Sequence, residues 1–363
     1  MLPIADLEFR PFDVPLDEPF GIATGVQTLA QNVLVELRLG DGTVGLGEAA
    51  PFPAVNGETQ AQVLAALPAA RAALLGLDAR RLRPASKAAR EALAGTPSAL
   101  AAVETALLDA FTRHAKLSLW SFFGGSETEL RTDITIPTGT LAHAATLAAR
   151  AEAQGFDTLK IKIGGSALES DVARVRAVLR AAPRARLVLD ANASLDADDT
   201  LALLDALGEA RSSVVLLEQP TPKDDLDALR RVSERAGVPV AADESARSTR
   251  DVVELAKAGA AAVINVKIMK SGVFEAWDMV RAAQALGLGL MVGGMVETEL
   301  AMSTSACLAA GIGGFRFVDL DTPLFMAPRP LSGGFEQSGP RLRLDGISMG
   351  HGVRYEAPIG RDP

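Results

Sequence analysis

The sequence predicts an α/β fold: a (β/α)8-type barrel with an N-terminal α+β capping domain that the C-terminal tail completes. Three observations predict it. From Ile134 onward a short apolar strand, a turn and an amphipathic helix recur eight times. Before that point, strand-like alternation of apolar and polar residues gives way to an Ala-rich helical stretch. Charged residues stand at the C-terminal ends of successive barrel strands, the end where such barrels carry their active sites.

Residues 4–14 and 32–39 alternate as half-buried strands do, and Asp41-Gly42 suits a hairpin turn into residues 44–47. Stretches 20–27 and 50–57 are rich in Gly or Pro and read as loops. Thr96-Pro97-Ser98 starts a helix whose apolar stripe is Leu100, Val103, Leu107 and Phe111, and Gly124-Gly125 closes the region. The predicted barrel strands are 134–138, 158–163, 187–190, 214–218, 240–243, 262–267, 288–293 and 315–319. Helices at 169–181, 198–207, 224–236 and 274–286 fall between them. A doubly wound open sheet is the rival, disfavoured because no Gly-rich phosphate loop follows an early strand. The expected division is a capping domain over 1–125, the barrel over 126–324, and a segment 325–363 returning to the cap.

Composition removes several function classes. With 363 residues the chain has room for a barrel and a smaller domain. A net charge of −9 argues against a nucleic-acid partner, which needs clustered cations. The single cysteine, Cys307, excludes a disulfide framework and fits a reducing compartment. Asp6 and Glu8 stand where a signal peptide would be basic, and no apolar run approaches the ~20 residues that span a bilayer. A cytoplasmic protein without a membrane partner is expected.

Lys160 and Lys162 alternate within an apolar strand, so both ammonium groups share one face. Burying two cations is costly unless something nearby needs them; the competing reading is an exposed edge strand. Asp190, Glu218 and Asp243 end three successive strands, with Lys162 ending the strand before them and Lys267 the strand after. Three converging carboxylates need a cation, and oxygen ligands without His or Cys select a hard metal such as Mg²⁺. The bland alternative makes each one a helix N-cap, which suits one Asp better than three in succession. Beside a metal, a lysine of depressed pKa can act as a base near neutral pH. One lysine would remove an α-proton from one face and the other return a proton to the opposite face, while the metal steadies the enolate between them.

The pattern Lys160-Ile-Lys162, Asp190-Ala-Asn192, Glu218-Gln219-Pro220, Asp243-Glu244-Ser245 and Asn265-Val-Lys267 resembles the muconate-cycloisomerase subgroup of the enolase superfamily. The likeness covers nearly the whole chain, including Phe122-Phe123-Gly124-Gly125. It implies Lys162 and Lys267 as the acid/base pair and one Mg²⁺ per subunit (Mn²⁺ a substitute) on Asp190, Glu218 and Asp243. Asn192 and Asn265 would support those ligands, and Lys160 would assist Lys162 and the substrate carboxylate. Lys270 is expected to point elsewhere.

Asp319-Leu320-Asp321 on the last strand looks like the Asp-x-Asp motif of dipeptide epimerases. Two carboxylates outside the metal set suit the free ammonium of a dipeptide; the competing reading is a plain turn into Pro323. Glu297 also fits the family and is expected at the substrate. The implied function is epimerisation of the C-terminal residue of a dipeptide. The alternatives are an N-acylamino-acid racemase, an o-succinylbenzoate synthase or a muconate cycloisomerase. The only partner implied is this small molecule; self-association into a homo-oligomer stays open. Phe20, Ile22, Gly25, Val26, Phe52 and Val55 are expected to cover the site from two capping loops. Neither loop holds a Lys or Arg, which favours a small or apolar second residue over glutamate.

Overall fold

In the computed structural model, which describes residues 1–22 and 25–356 (Ile22 by its backbone alone), two long strands open the chain. β1 (Ile4–Ile22) and β2 (Gly25–Leu39) pair antiparallel, from Ile4 opposite Leu39 to Ile22 opposite Gly25, and β3 (Val44–Ala49) completes the sheet. β1 lies at the sheet edge, where Pro11 and Pro15 cost no ladder bond. The stretches expected as loops differ. Residues 20–22 and 25–27 belong to a hairpin end, and α1 (Pro53–Asn56) is a single helical turn closed by Gly57 at φ 78°.

α2 (Gln60–Leu74) begins with a reciprocal capping box between Thr59 and Gln62. α3 (Leu82–Ala92), α4 (Pro97–His114) and α5 (Leu119–Phe123) follow. α4 is buried from Ser98 to Ala110 and not along one stripe; Phe111, placed on that stripe, is half-buried. The cause is contact on several sides. Gly45 and Gly47 bring the β3 backbone so close that a Cβ on Gly47 would stand 1.9 Å from the Ala102 carbonyl oxygen.

After β4 (Glu129–Arg131) come eight parallel strands: β5 (Ile134–Ile136), β6 (Thr158–Lys162), β7 (Arg186–Asp190), β8 (Val214–Glu218), β9 (Val240–Ala242), β10 (Val263–Val266), β11 (Gly289–Val292) and β12 (Phe315–Val318). They are hydrogen-bonded in chain order. The intervening helices are α6 (Leu141–Ala153), α7 (Leu168–Ala181), α8 (Ala197–Ala206), α9 (Leu226–Arg235), α10 (Thr249–Ala258), α11 (Ile268–Ser271), α12 (Val273–Ala285) and α13 (Glu299–Ile312). At the seam the Asp133 N–H donates to the Val318 carbonyl at 2.9 Å, and the Leu320 N–H to Thr132 Oγ1 at 2.9 Å.

Strand alternation divides the barrel residues. Leu187, Leu189, Leu217, Val240, Ile264, Val266, Leu290 and Val292 belong to the large core shared with the helices. Val188, Leu216, Ala241, Val263, Met291 and Phe317 form a separate cluster. Two residues further along the same faces stand Asp190, Glu218, Asp243, Asn265, Gly293 and Asp319. The apolar plug is thus the floor, and the polar layer is the mouth.

The tail makes β13 (Leu331–Ser332), β14 (Glu336–Ser338), β15 (Arg341–Arg343) and β16 (Arg354–Tyr355). β15 pairs with β4, while the Leu119 N–H donates to the Gly350 carbonyl at 2.7 Å and the Ala327 N–H to that of Pro15 at 2.9 Å. Among the described residues no helix is long and apolar enough to cross a membrane.

Candidate active site

The mouth brings together the residues singled out above. Asp190, Glu218, Asp243, Lys160, Lys162 and Lys267 are all buried. Lys162 Nζ donates to Asp190 Oδ2 at 2.6 Å, and Lys267 Nζ to Asp243 Oδ2 at 2.6 Å. Lys160 sits at the centre: its Nζ is 2.9 Å from Asp190, 2.8 Å from Glu218 and 2.7 Å from Asp319. It therefore serves three carboxylates, and it meets Lys162 on the same oxygen, Asp190 Oδ2. β6 and β10 are four places apart in an eight-stranded barrel, so Lys162 and Lys267 face each other across it.

Burial alone would lower the Lys160 pKa, but Asp190, Asp319 and Glu218 outweigh it and hold the ammonium well above its ordinary range. Burial likewise opposes the charge on Lys267, and Asp243 overrides it, raising that pKa. A carboxylate at 2.6 Å decides the sign for Lys267 here; the depressed pKa expected beside a metal is a separate case. Asp190 and Asp243, which burial would raise, are pulled down by their lysines. Glu218 is pushed up by burial and then by Asp190.

Two asparagines stand where support was expected. Asn265 Nδ2 donates to Glu218 Oε1 at 2.8 Å, and the Asn192 N–H to Asp190 Oδ1 at 2.9 Å. Lys270 corrects the reading. It is buried, and its Nζ donates to Asp243 Oδ1 at 2.6 Å, the Asp243 carbonyl at 2.5 Å and the Asn265 carbonyl at 2.9 Å. Lys267 caps the one-turn helix α11, and a helical turn returns the residue three places on to the same side. Gln219 was also missed as a support: its Oε1 accepts from the Asp243 and Ser245 N–H groups. Arg174 on α7 donates to the Lys162 carbonyl and to Asp171.

The donor set fits a hard divalent cation. Asp190, Glu218 and Asp243 are at most 1% exposed and offer only oxygen, and Glu218 Oε2, though 2.8 Å from Lys160 Nζ, makes no properly directed hydrogen bond.

Phe20, Phe52, Val55, Met295 and Val296 wall the cavity above Lys162 and Lys267, with Thr135, Asp319 and Asp321 on one side. Of the other expected cover residues, Val26 is 65% exposed and does not line it, and Gly25 lies against Ala54. The Ile22 side chain lies outside the described part. Glu297 is fully buried and does not line the cavity either. Its Oε1 accepts the Met295 N–H at 2.6 Å, and burial pushes its carboxyl up to about 8.

The wall made by Met295 and Val296 is held from the capping sheet. Asn32 Nδ2 donates to Glu48 Oε1 at 2.6 Å and to the Val296 carbonyl at 3.0 Å. Glu48 in turn accepts from Thr298 Oγ1 at 2.6 Å and from the Thr298 and Ala301 N–H groups, at the start of α13. Nothing local in the sequence points to this clamp, because its partners lie some 250 residues apart.

Two family models match. Residues 6–124 fit the mandelate racemase / muconate lactonizing enzyme N-terminal domain, and residues 142–357 the enolase C-terminal domain-like family. The chain is 49% identical to the aromatic dipeptide epimerase of Herpetosiphon aurantiacus, over 94% of this chain and 96% of that protein. It is 32% identical to the L-Ala-D/L-Glu epimerase of Bacillus subtilis, over 94% of each. A dipeptide epimerase from Enterococcus faecalis, solved with Mg and the dipeptide L-Leu-L-Tyr, superposes with a TM-score of 0.93 at 32% identity, covering 97% of this chain and 100% of that one. On both domains and nearly its full length, the chain belongs to the enolase superfamily, in the mandelate racemase / muconate lactonizing enzyme group.

Proposed function

We propose that the protein is a Mg²⁺-dependent dipeptide epimerase that inverts the α-carbon of the C-terminal residue, acting best when that residue is apolar or aromatic. The observation that carries this reading is the presence of Asp319 and Asp321 in the same cavity as Lys162 and Lys267. An acid pair outside the metal set gives a free amino terminus a partner, which an N-acylated substrate would not need. The likeness to the aromatic dipeptide epimerase supports the same substrate class.

Asp190, Glu218 and Asp243 would hold the metal, whose chemistry is to polarise the substrate carboxylate and to draw off the carboxylate charge that keeps Lys267 protonated. Asp319 and Asp321 orient the amino end, and the second residue's α-carbon then lies between the two lysines. One lysine, neutral, takes the α-proton from its face; the other, charged, gives a proton to the opposite face. Phe20, Phe52 and Val55 keep water from the reacting face.

The same wall sets the side-chain preference. An apolar side chain seated there gains ~1.5–3 kcal/mol by burial, whereas a carboxylate would lose its hydration without a partner. Lys160 does not supply that partner, being engaged by three carboxylates already. Comparison of kcat/KM for L-Ala-L-Phe, L-Ala-L-Leu and L-Ala-L-Glu, with α-deuteration in D₂O read by mass spectrometry, tests the reading. The apolar pair should win; a clear lead for L-Ala-L-Glu refutes the preference. Acetylating the amino end should cost ~10²-fold or more, and an equal rate on the acetylated peptide refutes the substrate class.

A further inference from the structure

A third carboxylate lies beside Asp319 and Asp321. Asp133 precedes β5 and stands two residues before Thr135, hence one layer below it on the inward face. Oxygens of Asp133, Asp319 and Asp321 all fall within 4.8 Å of one another, and the three residues are 3%, 8% and 0% exposed. Their hydrogen bonding is incomplete. Asp321 Oδ2 accepts the Thr135 N–H at 2.6 Å, but Asp321 Oδ1 and Asp133 Oδ1 are buried without a hydrogen-bond partner.

The cation that faces this cluster is Lys160. It reaches Asp319 at 2.7 Å, yet the same ammonium is shared with Asp190 and Glu218. One positive charge, whether shared with Asp190 and Glu218 or freed from them by a metal, cannot sustain three buried carboxylates as anions at this spacing. A proton must make up the difference until another cation arrives. The substrate reading above supplies one, an α-ammonium at Asp319 and Asp321, and the inference rests on that reading.

We propose that Asp133 and Asp321 share one proton in the free enzyme and release it when the α-ammonium of the dipeptide binds, so that substrate uptake is coupled to loss of a proton. The ammonium keeps its three protons; the O–H bond of the shared carboxyl breaks, its electron pair stays on oxygen, and the proton passes to the buffer. Burial, then Asp319 and Asp321, drive the Asp133 carboxyl towards its neutral form; Lys160 opposes this and Glu218 adds to it. Asp321 is raised for the same reasons, by burial first and Asp319 second. Asp133 would not touch the substrate: its part is to hold the proton.

Titration calorimetry of the Mg²⁺-loaded full chain tests this, with L-alanyl-α-aminoisobutyrate as probe, since a second residue without an α-proton cannot be epimerised. The titration is run near pH 6.5, where a dipeptide amine (ordinary pKa about 8) is already charged, in two buffers of unlike ionisation enthalpy. The expected result for the wild type is release of one-half to one proton per peptide. Asp133→Asn mimics the neutral acid; it should bind within about tenfold of wild type and release none. Heats independent of buffer in the wild type overturn the proposal without recourse to any variant. So does undiminished release by Asp133→Asn, or a second Mg²⁺ per chain that Asp133→Asn abolishes. If the N-acetylated probe binds as tightly as the free one, the amino-end reading itself fails. If the free amine is required but no proton is lost, only the coupling fails.

Discussion

Replacing Glu297 by Gln should flatten the pH dependence of stability. Glu297 is fully buried; its Oε1 accepts the Met295 N–H and its Oε2 has no hydrogen-bond partner. Burial moves its carboxyl from an ordinary 4.5 to about 8. A carboxylic acid whose pKa is raised by folding binds its proton more tightly in the folded chain. Its contribution is therefore full below the unfolded pKa and is lost as pH rises towards the folded one. At ~1.36 kcal/mol per pKa unit, the loss between pH 5 and 8 comes to roughly 3 kcal/mol. The Gln variant keeps an acceptor for Met295 and has no proton to lose. Urea unfolding of both proteins at pH 5, 6.5 and 8 isolates the effect, because every other titrating group is common to the two. Wild-type stability should fall by roughly 3 kcal/mol more than that of the variant over this range. Parallel curves would refute the buried neutral acid.

Three further outcomes follow from the geometry. In Lys162→Ala, one epimer of a good substrate should still exchange its α-proton with D₂O and the other should not; equal loss from both is inconsistent with lysines serving opposite faces. Glu218→Gln should fold normally yet lose Mg²⁺ binding by calorimetry together with turnover, and normal binding would remove it from the metal site. Gly47→Ala puts a Cβ 1.9 Å from the Ala102 carbonyl oxygen, so β3 and α4 must separate. A cost of at least ~2–3 kcal/mol is expected in urea unfolding, and unchanged stability would mean that the seam yields freely.

The barrel was legible because its strands are short, apolar and regularly spaced, and because charges recur at one end. Their predicted ends run long where it matters. Asp243, Lys267 and Asp319 fall inside the expected strands, yet each lies one residue past its strand end, with the side chain still on the face that alternation predicts. Lys270, three residues beyond Lys267, is expected to point elsewhere; the single turn of α11 brings it back to the same side. Asp133 reads as an ordinary residue before a strand, although period-two alternation from Thr135 would have placed it inside. Val26 was assigned to the cover by its place in a Gly-rich stretch, but pairing with Gly21 holds it in the hairpin with its side chain outward. The clamp of Asn32 and Glu48 had no local signal at all.

That clamp has a consequence for recombining such proteins. The capping sheet does more than cover the barrel: through Asn32 and Glu48 it determines where the backbone of Val296 lies and how α13 begins. A cap and a barrel taken from two relatives are therefore not interchangeable parts, even when each is well folded by itself. A graft that carries Asn32 and Glu48 but meets a different residue at Thr298 leaves a buried carboxylate without its hydroxyl donor. The converse graft keeps Thr298 as the cap of α13 but leaves the Thr298 and Ala301 N–H groups without their carboxylate acceptor. Modules exchanged between members of this group should be cut so that the two strands of the cap and the turn after β11 travel together, as one inherited unit spanning both ends of the chain.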